Sequence, residues 1–436
     1  MNRPAPGAAR LYQRLVSADR SDQSDQEQRG TARNGLRHVA ADALQGSGDQ
    51  VVSARTVLPW LLTSLGAPAV LLGLLVPVRE SLSMLPQAAM APWVRGRARR
   101  RGIWVAGALG QAAGAVVMAV GAATLEGTPA GVVIVLALAG FSLSRSLCSL
   151  AGKDVLGRTV PKGERGQISG LTTVLSGVVA ITLGLGIRLL GGDDVPSTTL
   201  AALLGAAALA WVLAAAVFRG IEEPESAPAG PADDDAGWVR AAVETLRADA
   251  PFRRFVIARA LLLVSALSPP FVVALAASSG GTALSGLGPF VIAQGVANLV
   301  GGRFFGRAAD TSSRRLMMGA ALAASVIIGA LLAALAVPAV RDQSWIFPLA
   351  YLLLALTHTG ARVARKTYVV DLAGDDRRTQ YIAVANSTMG VLLLVVGAIS
   401  GVLAGFGHEL ALGFLAVVGL AGVVASRSLP EVSKNP

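Results

Sequence analysis

The sequence predicts an all-α integral membrane protein with about twelve transmembrane helices in two pseudo-symmetric six-helix bundles. Three observations carry this. Of 436 residues, 53% are apolar before the 50 glycines are counted, and 15% are charged. Soluble domains have about 45–50% apolar residues with glycine included and about 25% charged; here the mean hydropathy is +0.58. Apolar segments of about 20 residues, enough to cross a hydrocarbon core, recur along almost the whole chain. The two halves of the sequence also match in register.

Residues 1–33 are polar and basic, lack the apolar core of a cleaved signal peptide, and predict a disordered cytoplasmic tail. Residues 34–218 hold six apolar segments, near 46–65, 68–90, 103–124, 130–152, 168–190 and 197–218. Residues 253–428 hold six more, near 254–277, 284–306, 315–338, 344–364, 379–405 and 408–426. Between them, 219–252 is a cytoplasmic linker, first rich in proline and acids, then amphipathic, with Trp238, Val239, Ala242, Val243 and Leu246 on one helical face. A short cytoplasmic tail, 429–436, ends the chain.

Charge sets the orientation. Arg95, Arg97 and Arg99–Arg101 fall between segments two and three, and Lys153, Arg158, Lys162 and Arg165 between four and five. Arg303, Arg307, Arg314 and Arg315 fall between eight and nine, and Arg362, Arg365, Lys366, Arg377 and Arg378 between ten and eleven. The alternate loops offer little beyond Arg188 and Arg341. Both termini are therefore expected in the cytoplasm, in a multi-pass protein of the cell membrane of bacterial inner-membrane type. The net charge of +11 serves this orientation, and no nucleic-acid partner is expected. Cys148, the single cysteine, excludes an intrachain disulfide and a structural zinc site of cysteine type.

The repeat is read from paired positions. Pro59 precedes Pro269 by 210 positions, as Gly96-Arg97-Ala98 precedes Gly306-Arg307-Ala308. Lys153 precedes Lys366, Arg165 precedes Arg378 and Gln167 precedes Gln380 by 213. One three-residue insertion after Gly306 reconciles the two offsets. Parallel duplication of this kind places a cavity between two bundles that rock against each other.

The loop after the eighth segment reads Gly306-Arg307-Ala308-Ala309-Asp310-Thr311-Ser312-Ser313-Arg314-Arg315. This spacing resembles the signature loop of the major facilitator superfamily, and the helix count, cytoplasmic termini, central loop and duplicated halves extend the resemblance across nearly the whole chain. The resemblance implies a transporter in which helices one, four, seven and ten line the cavity. It also implies a cytoplasmic gate at Gly306, Asp310, Arg314 and Arg315, where a carboxylate among guanidinium groups caps a helix and latches the gate. Arg165 and Arg378, in the matching loops, join these gate candidates. The first-half loop is three residues shorter and has no acid at the matching position. The fifth segment lacks the Gly-Pro pairing of the family's proton antiporters.

Charges inside apolar segments are costly and usually face a cavity or one another. The first segment carries Asp49 and Arg55, the fourth Arg145, the seventh Arg259 and the tenth His358. By the repeat, Asp49 matches Arg259 and Arg145 matches His358. Arg79 and Glu80 are adjacent in the second segment and, about 100° apart on a helix, cannot face the same partner. Asp49, Glu80 and His358 are the proton-coupling candidates, with a permanent ion pair between the first two helices as the competing reading. Arg55, Arg79, Arg145, Arg259, Gln294, Asn298 and Asn386 are the cavity and substrate candidates. Arg55, Arg145 and Arg259 would attract an anionic group, although Asp49 and Glu80 offset them.

Gly152-Lys153-Asp154 does not meet the phosphate-loop spacing of an ATP-driven pump, and no catalytic or metal-ligand constellation is legible. The expectation is therefore a secondary active transporter of a small solute, proton-coupled, monomeric, embedded in lipid, without cofactor or metal and not an enzyme. The alternatives are a non-transporting membrane scaffold or sensor, or a lipid flippase.

Overall fold

The computed structural model describes residues 11–12, 15–16, 25–161, 164–191, 196–225, 238–278, 286–337, 343, 345–372 and 378–432. The regular elements among them are all helices. The first half contains α1 (Asp25–Val51), α2 (Val57–Ser64), α3 (Ala69–Met84), α4 (Pro86–Arg95), α5 (Arg101–Thr124), α6 (Gly127–Thr159), α7 (Arg165–Gly191) and α8 (Ser197–Arg219). The second contains α9 (Trp238–Ala248), α10 (Ala250–Leu261), α11 (Val264–Ser278), α12 (Leu287–Leu335), α13 (Ile346–Leu372), α14 (Arg378–Ala404) and α15 (His408–Arg427). Among the described residues, eight stretches are long and apolar enough to span a bilayer, and Val174–Ile187 and Leu287–Gly301 are shorter apolar runs.

Local features accompany the breaks. Proline offers no N–H to the carbonyl four residues back, so Pro59 in α2 frees the carbonyl of Arg55, and the chain leaves the helix between Val51 and Val57. Pro269 and Pro270 free the carbonyls of Ser265 and Ala266 inside α11, which continues through them; the interruption at Leu262–Leu263 lies upstream of both. Both interruptions thus fall at the 210-residue repeat offset. Serine hydroxyls take up exposed acceptors there: Ser265 donates to the Leu262 carbonyl at 3.3 Å and Ser268 to that of Val264. In α12 the bend is Ser312 (φ −164°, ψ 99°); its hydroxyl accepts from the Arg315 amide at 3.2 Å, which makes it the N-cap of the second arm.

Helices of each half pack chiefly on one another. In the first, α5 lies against α6 and α8, α1 against α7 and α8, and α3 against α6. In the second, α12 and α11 each lie against α13 and α15. The halves meet chiefly along two seams, α3 on α14 and α7 on the first arm of α12, and α11 also packs on α2 and α3. The α10–α11 rod is 83% buried, against 39–56% for the other long apolar stretches, so it is central and they are peripheral. Peripheral faces expose Leu136, Leu209, Val326, Val395 and Val417, a surface suited to lipid tails. Alternation of helix direction puts the start of α1 and the end of α15 at one end of the molecule, the termini end.

Several boundaries differ from expectation. The first helix begins at Asp25, inside the expected tail, because its polar residues clamp the chain that follows α8. Arg33 pairs with the Glu222 carboxylate, Arg37 donates to the Gly220 carbonyl, and Asn34 bonds the Glu222 backbone in both directions at 3.0 and 3.2 Å. α6 and α13 run past their expected ends, to Thr159 and Leu372. The linker helix forms as α9; Val243 is exposed, and Leu246 packs on the cluster around Phe252 and Tyr381. The side chains of Trp238, Val239 and Ala242 lie outside the described set.

Candidate functional site

A cavity of about 610 Å³ lies between the halves. Its first-half wall is Arg55, from the α1–α2 break, with Glu80, Ser83, Met84 and Gln87 on α3–α4 and Arg145, Ser149 and Lys153 on α6. Its second-half wall is Arg259 on α10, His358, Arg362, Arg365 and Val369 on α13, and Asn386, Met389 and Leu393 on α14. The spacings are those of single helical faces, three, four, seven or eight residues apart. Lys153, Gln87 and Val369 lie toward the termini end of their helices, so the cavity opens that way.

Glycine closes the opposite end. A β-carbon on Gly73 of α3 would strike the Gly401 backbone of α14, and one on Gly397 would strike the Pro77 ring. One turn further along, the Ser81 hydroxyl donates to the Gly390 carbonyl at 2.7 Å. Along the second seam, β-carbons on Gly184 and Gly295 would meet the carbonyls of Gly288 and Gly177. Small residues are what permit backbones to approach this closely in a membrane.

The charges form a graded network. Asp49 accepts from Arg79 at 2.8 Å and also from Arg145. Arg79 further lies over the Phe141 ring, 4.5 Å from its centroid. Arg55 pairs with Glu80 at 3.0 Å. Adjacent Arg79 and Glu80 therefore serve different partners, Arg79 behind the wall and Glu80 at its surface. The second-half wall is different in kind: Arg259 donates to neutral Asn386 at 2.9 Å, and His358 Nδ1 lies 3.4 Å from the Ser265 hydroxyl. Gln294 and Asn298 bond each other at 3.1 Å, and Tyr351 donates to Gln294 at 2.9 Å; these groups tie α12 to α13 and do not line the cavity.

Sequence reasoning placed Lys153, Arg362 and Arg365 in cytoplasmic loops; they lie on α6 and α13 and line the cavity. Their signal was the helical spacing of His358, Arg362, Arg365 and Val369, and of Arg145, Ser149 and Lys153.

At the termini end, Glu223, in the chain that follows α8, reaches the start of α5. Its buried carboxylate accepts from the backbone amides of Arg100, at 2.8 and 3.0 Å, and Arg101, at 2.8 Å, capping the first turn of α5. Asp154 pairs with Arg100 and, at 2.8 Å, with Arg158. In the second half the acid acts through the cap residue: Glu431 accepts from the Ser312 hydroxyl at 2.6 Å, with Arg314 3.5 Å away. Glu223 and Glu431 each stand four residues beyond the arginine ending the last helix of their half, Arg219 and Arg427. That spacing was the missed signal. Arg314 thus engages Glu431 and, at 3.2 Å, the Leu429 carbonyl, while the Arg315 side chain is exposed. Gly306, Asp310, Arg165 and Arg378 lie on described helices, but their side chains are outside the described set.

Glu223→Ala is expected to lower stability by about 1–2 kcal/mol, the loss of a helix cap. Glu222→Ala, which removes an exposed pair, should cost less than about 1 kcal/mol. Unfolding of the two variants in detergent measures the contrast.

These helices and this inter-half cavity share their fold with solved transporters. Among solved structures, a peptide transporter POT in complex with sulfate superposes with a TM-score of 0.70 at 11% identity, over 96% of this chain and 96% of that one. A POT family transporter in complex with a thioalcohol-conjugated peptide gives 0.70 at 10% identity over 90% and 95%. A D-xylose-proton symporter gives 0.67 at 12% identity over 93% and 99%. At such identities the likeness is one of fold. No family model and no curated protein matches the sequence.

Proposed function

We propose that the chain is a secondary active transporter of a small solute, with twelve spans in two six-helix bundles, working as a monomer by alternating access and coupled to protons. The observation that carries this is the cavity of about 610 Å³ walled by both halves and shut at one end by glycine-packed seams. The seams separate, and the termini end closes, when the halves rock. Arginine-rich loops at the termini end favour a cytoplasmic position for that end, and on this reading the conformation described is inward-facing. The solved transporters of this fold include one whose name couples xylose to protons, which favours a gradient as the energy source here.

Glu80 is the coupling site this reading favours. It faces the cavity and its partner Arg55 sits on the α1–α2 break, so a proton on Glu80 would release an element already free to move. Asp49 is shared between two arginines and serves to hold them. The charged neighbours of His358 are Arg55, Arg362 and Arg365, which leaves it a secondary candidate. The test is Glu80→Gln in a chain with Cys148→Ser and Ser149→Cys, maleimide labelling of the introduced thiol being followed from the cytoplasmic side as pH changes. Because maleimide reacts with the thiolate, the rate is taken relative to that of an exposed control thiol, Ala98→Cys: with Glu80 present this ratio should change severalfold with pH, and in the Glu80→Gln variant it should be flat. An unchanged pH response in the variant removes Glu80 from coupling.

A further inference from the structure

Six cations line the cavity, Arg55, Arg145, Lys153, Arg259, Arg362 and Arg365, against one carboxylate, Glu80. Asp49, behind the wall, is already shared by Arg79 and Arg145, and Glu80 is held by Arg55. The first-half wall thus brings its own counter-charges. The second-half wall brings none among its described residues: Arg362 and Arg365 have no hydrogen-bond or ion-pair partner there, and Arg259 has only neutral Asn386. Arg259 is 6% exposed, and its Nε is a buried donor without an acceptor. Arg365 is close enough for its charge to act on Arg259, Arg362 and Arg55, and the single Glu80 carboxylate, already paired with Arg55, is the one acid whose charge reaches Arg362 and Arg365 among the described residues. Like charges gathered around a confined space between low-dielectric walls repel one another even where water enters from one end, and buried guanidinium donors without acceptors cost free energy. An anion in the cavity relieves both.

We infer that the solute, on the transport reading above, is an oxyanion carrying two or more negative charges, with its charged group held by Arg259, Arg362 and Arg365. Guanidinium forks suit such a group because each can give two parallel N–H donors to one phosphoryl or carboxylate face. Glu80 opposite excludes a second anionic group at its own position while Arg55 and Glu80 remain paired, so the remainder of the solute on that side is neutral or cationic. The volume suits a metabolite-sized molecule.

The test uses the purified full chain in detergent, with unfolding followed by the fluorescence of its six tryptophans. Inorganic phosphate, sulfate and citrate are titrated at constant ionic strength, chloride replacing them, because diffuse screening would otherwise imitate binding. At least one multivalent anion should raise the unfolding temperature where chloride does not. Arg362→Gln should weaken the midpoint about tenfold or more, and Arg362→Gln with Arg365→Gln should abolish the response. Arg240→Gln, on exposed α9, should leave it intact. Without anion, the double variant should unfold at or above the parent's temperature, since repulsion has been removed; a merely structural role would lower it. No response to any of the three anions, or a response unchanged in the double variant, overturns the inference. Alternating access is tested separately by labelling distances at the two ends: alternation without anion binding rejects this inference alone, and anion binding without alternation rejects the transport reading alone.

Discussion

Asp49→Asn is expected to destabilise the protein by about 3–5 kcal/mol, the cost of removing one partner from a buried ion pair, and to abolish transport. The substitution leaves Arg79 and Arg145, both bonded to the Asp49 carboxylate, facing each other without the charge that bridges them. Asp49 and Arg79 are mostly buried, with side-chain exposures of 15% and 13%, so water compensates little. The cause is separable from a packing defect, because Asn is nearly isosteric with Asp. Adding Arg79→Met and Arg145→Met to Asp49→Asn should recover most of the lost stability, since apolar replacement of a whole buried ionic cluster is often close to neutral. Detergent unfolding of the single and triple variants decides. If Asp49→Asn is as stable as the parent, or the triple variant is no better than the single one, the cluster does not hold the first half together.

Gly73→Leu should change the conformation more than any cavity substitution. Even a β-carbon there collides with the Gly401 backbone, and a backbone cannot step aside as a flexible side chain can. The substitution penalises only the arrangement in which α3 and α14 touch at that end, so the population moves toward the one in which they part. A penalty of about 3 kcal/mol, at the upper end of overpacking costs, corresponds to more than a hundredfold in that equilibrium. Maleimide labelling of a thiol introduced by Ser149→Cys, in the Cys148→Ser background and from the termini side, should accordingly slow by tenfold or more. Gly205→Leu on α8, where a β-carbon meets nothing within 4 Å, should leave the rate unaltered. Equal labelling of the Gly73→Leu variant and the parent would mean that the seam is not a gate.

What the sequence made legible, and what it hid, follows from the range of each signal. The 210-residue offset between Pro59 and Pro269 paired the two halves, and the α1–α2 and α10–α11 interruptions stand at that same offset, although no local signal in the sequence marked the second of them. The 100° step between adjacent helical residues was enough to say that Arg79 and Glu80 serve different partners. Arg362 and Arg365 were misplaced because hydropathy ends a span where charges begin, whereas α13 continues to Leu372 around a cavity that keeps those charges out of lipid. Glu223 was missed because its partners, the amides of Arg100 and Arg101, lie more than 120 residues away, and no local rule links a proline-rich acidic linker to the start of α5. The close approach of Gly177 and Gly184 on α7 to Gly288 and Gly295 on α12 could be named only from the fold, since the two segments lie more than 100 residues apart.

Alternation itself is measured most directly by distances between spin labels at the two ends of the molecule. With Cys148 replaced by serine, one pair is placed at Ala98 and Ser428, on the termini end of each half, and a second at Thr124 and Phe406, on the opposite end; all four positions are exposed. Introducing Gly73→Leu should shorten the Ala98–Ser428 distance and lengthen the Thr124–Phe406 distance together, as two bodies rocking about a shared cavity require. Distances at both ends that stay fixed, or that change with the same sign, would contradict a transporter working by alternating access.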